Sequence, residues 1–133
     1  MNILFTICGR AGSKGFKNKN LKEMRGVPLA YYSLAAIKGY MDRHSDDNVA
    51  VALNTDSETL VDLVMKQNII NVKYVPRKPE LAGDVVAKVE VIKDTFMACS
   101  EITPDVIVDL DITSPMRRIE DVENIIAEYN KGI

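Results

Sequence analysis

The 133-residue sequence has no tryptophan, one histidine and two cysteines. Cys8 and Cys99 show no metal-ligand spacing, so a zinc ribbon or a disulfide scaffold is excluded. Free, buried thiols in a reducing compartment are expected. Net charge is also lacking: 17 basic residues face 19 acidic ones, leaving −2. That excludes a generally basic nucleic-acid binder and a highly charged disordered tail. No apolar run approaches the ~20 residues of a membrane span. Met1-Asn2 runs directly into Ile3–Cys8 with neither a basic leader nor a small-residue cleavage site, so a cytoplasmic protein without signal peptide is expected. There is no internal repeat, low-complexity tract or linker. What remains is an ordinary globular composition, 47% hydrophobic and 27% charged. Its length suits one domain of roughly 100–200 residues, able to bury roughly two-thirds of its unfolded surface.

The near-zero charge conceals an asymmetry. Between positions 9 and 26 lie Arg10, Lys14, Lys17, Lys19, Lys22 and Arg25 against the single acid Glu23, a local +5, so the remainder carries −7. The same stretch holds Gly9, Gly12, Gly15 and Gly26, four of the seven glycines.

Hydrophobic periodicity predicts the fold class. Residues 3–8, 49–53, 72–75 and 105–110 are short, nearly continuous apolar runs, as strands covered on both faces require. Between them are segments of helical period. Leu29, Ser33, Ala36, Ile37 and Tyr40 mark the first. Leu60, Val61, Val64 and Met65 mark the second, after a Thr55/Glu58 capping box. Val85, Val89, Ile92, Phe96 and Cys99 mark the third. Ile119, Val122, Ile125, Ile126 and Tyr129 mark the fourth, with Glu120, Asp121 and Glu123 at its start and Lys131-Gly132 at its close. Strands alternating with helices predict a Rossmann-like α/β fold, a parallel sheet sandwiched between helices. The first strand-to-helix connection, from Gly9 to about Val27, is unusually long, and long loops in compact domains are usually functional. In open α/β sheets ligands bind outside the carboxyl ends of the strands, where this connection belongs.

That connection reads Gly9-Arg10-Ala11-Gly12-Ser13-Lys14-Gly15-Phe16-Lys17-Asn18-Lys19-Asn20. Glycines let backbone amides approach an anion. Arginine holds phosphate oxygens bidentately and lysine supplies point charge. A glycine-rich, basic loop after a first strand is a candidate for nucleotide phosphates, with a solvated basic loop as the plainer reading. It is not a P-loop, because Gly15 follows Lys14 instead of preceding it. Nor is it the dinucleotide fingerprint, because Ala11 occupies the second glycine's place.

Here the residues carry a specific likeness. Arg10-x-Gly12-Ser13-Lys14-Gly15-x-x-x-Lys19-Asn20 resembles the amino-terminal signature of the acylneuraminate cytidylyltransferases, or CMP-sialic acid synthetases. Three further stretches resemble that family's segments in the right order: Asn54-Thr55-Asp56-Ser57, Pro76–Asp84 with Arg77 and Ala82, and Asp109-Leu110-Asp111-Ile112-Thr113-Ser114-Pro115-Met116-Arg117. Two departures stand out. The proline that relatives often carry near Phe16-Lys17-Asn18 is missing, and complete members are about 220–240 residues long by the family pattern.

The resemblance implies a fold of nucleotide-diphospho-sugar transferase type, truncated, with residues 1–133 forming the CTP-binding amino-terminal part of a cytidylyltransferase. It implies transfer of CMP from CTP to a nine-carbon 2-keto sugar acid, with release of pyrophosphate and with Mg²⁺ as cofactor. By the same likeness Arg10, Lys14 and Lys19 are the catalytic residues. Gly12, Ser13, Gly15, Asn20, Arg77, Ala82 and Asp111 contact CTP, and Asp111 is the metal candidate. Asp111 as the cap of its own turn is an equal alternative. Asp109 shares its parity along the strand, and pairing with Arg117 or Arg118 is as plausible for it as a place in the site. Asp56 reads as part of a helix amino terminus. His44 lies in a polar connector without a partner at catalytic spacing, and is given no role. The expected partners are CTP and a sugar acid, with no nucleic acid or membrane, and a homodimer in the full-length family member. A non-catalytic nucleotide-binding module, a cytidylyltransferase for another sugar acid, and a basic patch docking an acidic protein are the competing readings.

Overall fold

The computed structural model describes residues 1–9, 23–24, 26–76, 88–99, 103–110 and 119–130. In chain order the elements are β1 (Asn2–Gly9), β2 (Glu23–Met24), β3 (Val27–Pro28), α1 (Leu29–Arg43), β4 (Asn48–Thr55), α2 (Glu58–Met65), β5 (Lys73–Pro76), α3 (Lys88–Ala98), β6 (Val106–Leu110) and α4 (Ile119–Asn130). Four strands form one parallel sheet in the order β5-β4-β1-β6. The expected α/β class is therefore what the chain adopts, with each predicted strand present to within a residue or two.

Both faces of the sheet are covered, which is why the strands read as unbroken apolar runs. Ile3, Phe5 and Ile7 join Val51, Leu53, Val108 and Leu110 on one face, under Leu34 and Ile37 of α1, Leu60 and Val64 of α2, and Val122 and Ile126 of α4. Alternate residues Leu4 and Ala52 face the other way, with Val75 and Cys99, in a smaller core. Removing a fully buried leucine such as Leu34 from a core of this kind costs about 2–5 kcal/mol.

The structure corrects the sequence reading of α3. Among its described side chains Val91 and Thr95 are the buried ones, and Cys99 just beyond the helix is buried as expected, whereas Phe96 is 38% exposed. Thr95 is fully buried with its hydroxyl satisfied, donating to the Val91 carbonyl at 2.8 Å. Val85 and the Val89 side chain lie outside the described residues. Likewise Ile125 is 44% exposed on α4, while Val122 and Ile126 make the contact. The cap of α2 is also different. Ser57, not Thr55, is the N-cap, and its Oγ accepts from the Leu60 amide at 3.2 Å. Thr55 Oγ1 instead accepts from the Ser57 amide at 3.0 Å and shapes the approach. The long first connection is not structureless throughout. Glu23–Met24 pairs antiparallel with Val27–Pro28, and Gly26 turns between them at φ 79°.

α4 packs on α1 across a glycine. A Cβ built on Gly39 would overlap Ile119 Cδ1 and lie 2.6 Å from its Cγ1. Glycine is unfavourable in a helix interior by about 1 kcal/mol, and here it lets the two helices approach closely.

Polar contacts fasten the amino-terminal edge of the sheet. The Asn2 amide donates to Asp105 Oδ2 at 2.7 Å and the Asn48 amide to the Met1 carbonyl at 2.9 Å. The Met1 amino group lies 3.2 Å from Asp47 Oδ1, and Tyr40 donates to Asp47 Oδ2 at 2.6 Å. That tyrosine hydrogen bond is the main reason the Asp47 carboxyl is held below its ordinary range, with the amino group assisting. Burial, then the carboxylate of Asp47, pushes the Tyr40 hydroxyl well above the usual tyrosine range. His44, given no role above, stacks on Tyr40 with centroids 4.2 Å apart, and its Nε2 lies 2.6 Å from Glu123 Oε2. Arg43 takes the other Glu123 oxygen at 3.1 Å. The histidine hydrogen bond, then the arginine charge, holds the Glu123 carboxyl below its ordinary range.

Candidate functional site

The strand order creates a switch point. From β1 the chain returns through α1 to β4 and then through α2 to β5, moving one way across the sheet. It then passes through α3 to β6, on the opposite side of β1. The strand order thus reverses between β1 and β6, and a crevice at the carboxyl ends of the strands at such a reversal is where open α/β sheets bind ligands.

Gly9, Thr55 and Pro76 are level at that edge, paired Gly9 with Thr55 and Thr55 with Pro76, and β6 ends at Leu110 opposite Ile7. Three of these strand ends lead directly into the segments singled out in the sequence. Arg10, Gly12, Ser13, Lys14, Gly15, Lys19 and Asn20 follow β1, Arg77 and Ala82 follow β5, and Asp111 follows β6. All ten lie outside the described residues. The fold fixes their points of departure: β6 is adjacent to β1, and β5 stands two strand spacings away, roughly 10 Å.

Beneath this edge the second sheet face changes from apolar to polar. On β1 the side chains run Leu4, Thr6, Cys8; on β4 they run Ala50, Ala52, Asn54; on β6, Ile107 is followed by Asp109. Thr6 is fully buried and donates its hydroxyl to Asp109 Oδ1 at 2.7 Å. Cys8 Sγ lies 3.7 Å from the same oxygen. Asp109 is thereby tied to β1. Its parity along the strand was legible, but nothing in the sequence pointed to Thr6, which is 103 positions away. Asn54 and Thr55 are fully buried and Ser57 caps α2, with Asp56 exposed between them. The Asn54–Ser57 segment therefore ends a strand and starts a helix.

Among the described residues no group of three or more His, Cys, Asp or Glu is placed to hold a metal ion. These residues alone do not form a metal cage. A cleft of about 530 Å³ lies elsewhere, along the amino-terminal half of β4, lined by Lys38 and Met41 of α1 and by Ile70 and Val72. It is at the opposite end of the strand from the candidate site. No helix among the described residues is long and apolar enough to cross a membrane.

Comparisons with known proteins bear on the family and the fold. Residues 4–132 match the family described as cytidylyltransferase. The chain is 32% identical over 124 residues to post-translational flagellin modification protein B of Campylobacter coli, covering 90% of this chain and 49% of that protein. It is 30% identical over 117 residues to CMP-N,N'-diacetyllegionaminic acid synthase of Campylobacter jejuni, covering 85% and 46%. It is 29% identical over 131 residues to N-acylneuraminate cytidylyltransferase of Streptococcus agalactiae, covering 98% and 30%. A solved structure of CMP:2-keto-3-deoxy-manno-octonic acid synthetase complexed with CTP shares the fold. Its TM-score is 0.67 at 17% identity, covering 98% of this chain and 48% of that one. The chain thus spans about half the length of the first two relatives.

Proposed function

The chain belongs to the cytidylyltransferase family, and from that premise we propose that it supplies the CTP-binding part of an enzyme that transfers CMP to a nine-carbon 2-keto sugar acid. The observation that carries this reading is a coincidence of place and charge. The +5 segment begins where β1 ends, beside the switch point. Relatives named for legionaminic acid and for N-acylneuraminate support a nine-carbon acceptor.

In the reaction, the anomeric hydroxyl oxygen of the sugar attacks the α-phosphorus of CTP. A new P–O bond forms, the bond to the β-phosphate bridging oxygen breaks, and pyrophosphate departs as the hydroxyl proton is lost. Such a displacement is a matter of positioning and charge neutralisation. Arg10, Ser13, Lys14 and Lys19 hold the triphosphate, while Gly12 and Gly15 admit it to the backbone and Asn20 fixes the loop. Arg77 and Ala82 lie against the cytidine. Asp111 contacts the ribose or Mg²⁺, which neutralises phosphate charge when bound. A cytoplasmic location, and a homodimer in the full-length family member, complete the reading.

Calorimetric titration with CTP and Mg²⁺, against ATP and Mg²⁺, is the direct test. CTP binds more tightly, and Arg10→Ala and Lys14→Ala each weaken it by about 1–3 kcal/mol, the scale of charge-assisted contacts. Unchanged affinity in both variants overturns the phosphate assignment. Equal binding of the two nucleotides points to a plain basic patch. Pyrophosphate release with a panel of nine-carbon sugar acids is the separate test of catalysis.

A further inference from the structure

The cleft beside the amino-terminal half of β4 is an interrupted sheet edge. β4 pairs with β1 along its whole length, Asn48 to Thr55, but among the described residues β5 covers its other edge only from Ala52 onward. Successive residues of a strand turn their N–H and C=O groups to opposite edges. The Asn48 amide donates to the Met1 carbonyl at 2.9 Å, so Asn48 and Ala50 face β1. Val49 and Val51 therefore face outward, and Val49 lies wholly before the first β5 pair, Ala52 with Lys73. Both valines line the cleft, whose volume is about 530 Å³.

The chain ahead of β5 does not close this edge, because its backbone is engaged elsewhere. The Gln67 side chain accepts from the Ile70 amide at 3.1 Å and donates to the Ile70 carbonyl at 2.7 Å. Ile70 would have to give up both bonds to extend β5 backwards along β4. A strand edge thus opens into a cleft with Ile70 and Val72 from this connection and Met41 from α1 among its walls. The lining also has one sign of charge. Among the described residues Lys38 and Lys73 contribute to it and no acid does. Lys38 Nζ lies 2.6 Å from Asp42, with both partners about half exposed, so little is lost when Lys38 turns to another carboxylate. Lys73 Nζ donates to the Ala98 carbonyl at 2.7 Å.

We propose that this cleft docks an extended peptide segment of a partner protein, apolar on one face and carrying acidic residues, which adds a short strand to the open edge of β4. Main-chain bonds to Val49 supply affinity, while alternate apolar side chains and a carboxylate supply selectivity. The uncovered stretch, from Asn48 to Val51, is about 13 Å long at roughly 3.3 Å per residue. A peptide is the occupant that uses all three features: the backbone groups, the apolar walls and the lysines. The cleft lies at the opposite end of β4 from the candidate nucleotide site, and the inference does not rest on the reading of that site.

The probe is a fluorescein-labelled peptide of alternating valine and threonine ending in two aspartates. Its anisotropy rises saturably with the concentration of the chain. N-methylation of alternate peptide amides weakens binding about tenfold or more, through loss of the edge hydrogen bonds. Lysines in place of the aspartates weaken it about three- to tenfold, and so does the double variant Lys38→Gln, Lys73→Gln toward the aspartate peptide. Saturating peptide slows hydrogen exchange at the Val49 amide about tenfold or more and leaves Leu53, already covered by β5, within about twofold. Absence of saturable binding overturns the proposal. Binding that ignores N-methylation, with Val49 exchange unchanged, assigns the cleft to small amphiphiles and overturns strand addition. Equal binding of the aspartate and lysine peptides overturns the acidic partner. Slower Val49 exchange on concentrating the chain alone, with a rising sedimentation coefficient, gives the edge to a second copy and overturns the peptide as its occupant.

Discussion

At the residue scale, Gly39 shows how a single missing methyl sets a helix contact. In Gly39→Ala the new carbon meets two atoms of Ile119. Overpacking costs about 1–3 kcal/mol, against a helix-propensity gain of about 1 kcal/mol. A net loss of up to about 2 kcal/mol is expected from denaturant melts, and Ile119→Val or Ile119→Ala in the same background should recover part of it. Asp109 presents the opposite problem, a half-buried carboxylate on β6, the last strand of the described sheet. Thr6→Val removes the hydroxyl that donates to it at 2.7 Å. Loss of that bond should cost about 1–3 kcal/mol, visible as a lower urea midpoint with unchanged slope. Asp109 was visible in the sequence because strand parity is local. His44 was not, because its carboxylate partner lies 79 positions further on. A side chain's chemistry is written in the sequence, but a distant partner is set only by the fold.

At the element scale the reading succeeded where a helix has one broad apolar face. α1 buries Leu29, Ser33, Ala36, Ile37 and Tyr40, the stripe that periodicity marked. It slipped on α3, where Val91 and Thr95 are the buried pair. Thr95 looks polar in a sequence, yet its hydroxyl is satisfied within its own helix, so period counting passed it over in favour of the larger Phe96. The start of α2 was read two residues early because Thr55 and Ser57 are both good caps. The backbone decides between them: Thr55 is still in β4, paired with Gly9 and Pro76. Ser57→Ala should therefore destabilise by about 0.5–2 kcal/mol, while Ser57→Asp should restore most of it. Thermal melts of the two variants check this.

At the scale of the whole molecule, the class of fold was legible and the strand order was not. Alternating strands and helices imply a parallel sheet, but the order β5-β4-β1-β6 depends on which edge β6 joins. The candidate site was legible as a motif; its side chains follow three strand ends that the fold gathers on one edge. Stability against pH also belongs to this scale. Asp47 and Glu123 both sit below their ordinary range in the folded chain. A lowered carboxyl contributes stability that is present above its unfolded value, about pH 4, and is lost as pH falls through the folded value. Urea midpoints should fall below about pH 4, and Asp47→Asn should flatten that decline. Tyr40 is shifted upward, so its contribution is intact below about pH 10 and is lost as pH rises further. The bond between Thr6 and Asp109 has one more consequence for the sheet as a whole. Sliding β6 by two residues along β1 keeps every side chain on its proper face, and the Ile3, Phe5, Ile7 row cannot detect it, since each position is apolar. The opposite row can, because the slide sets the Asp109 carboxylate against Leu4 or moves it up to Cys8. One hydroxyl thus acts as an index pin, indexing the strand along its length where hydrophobicity indexes it only by face.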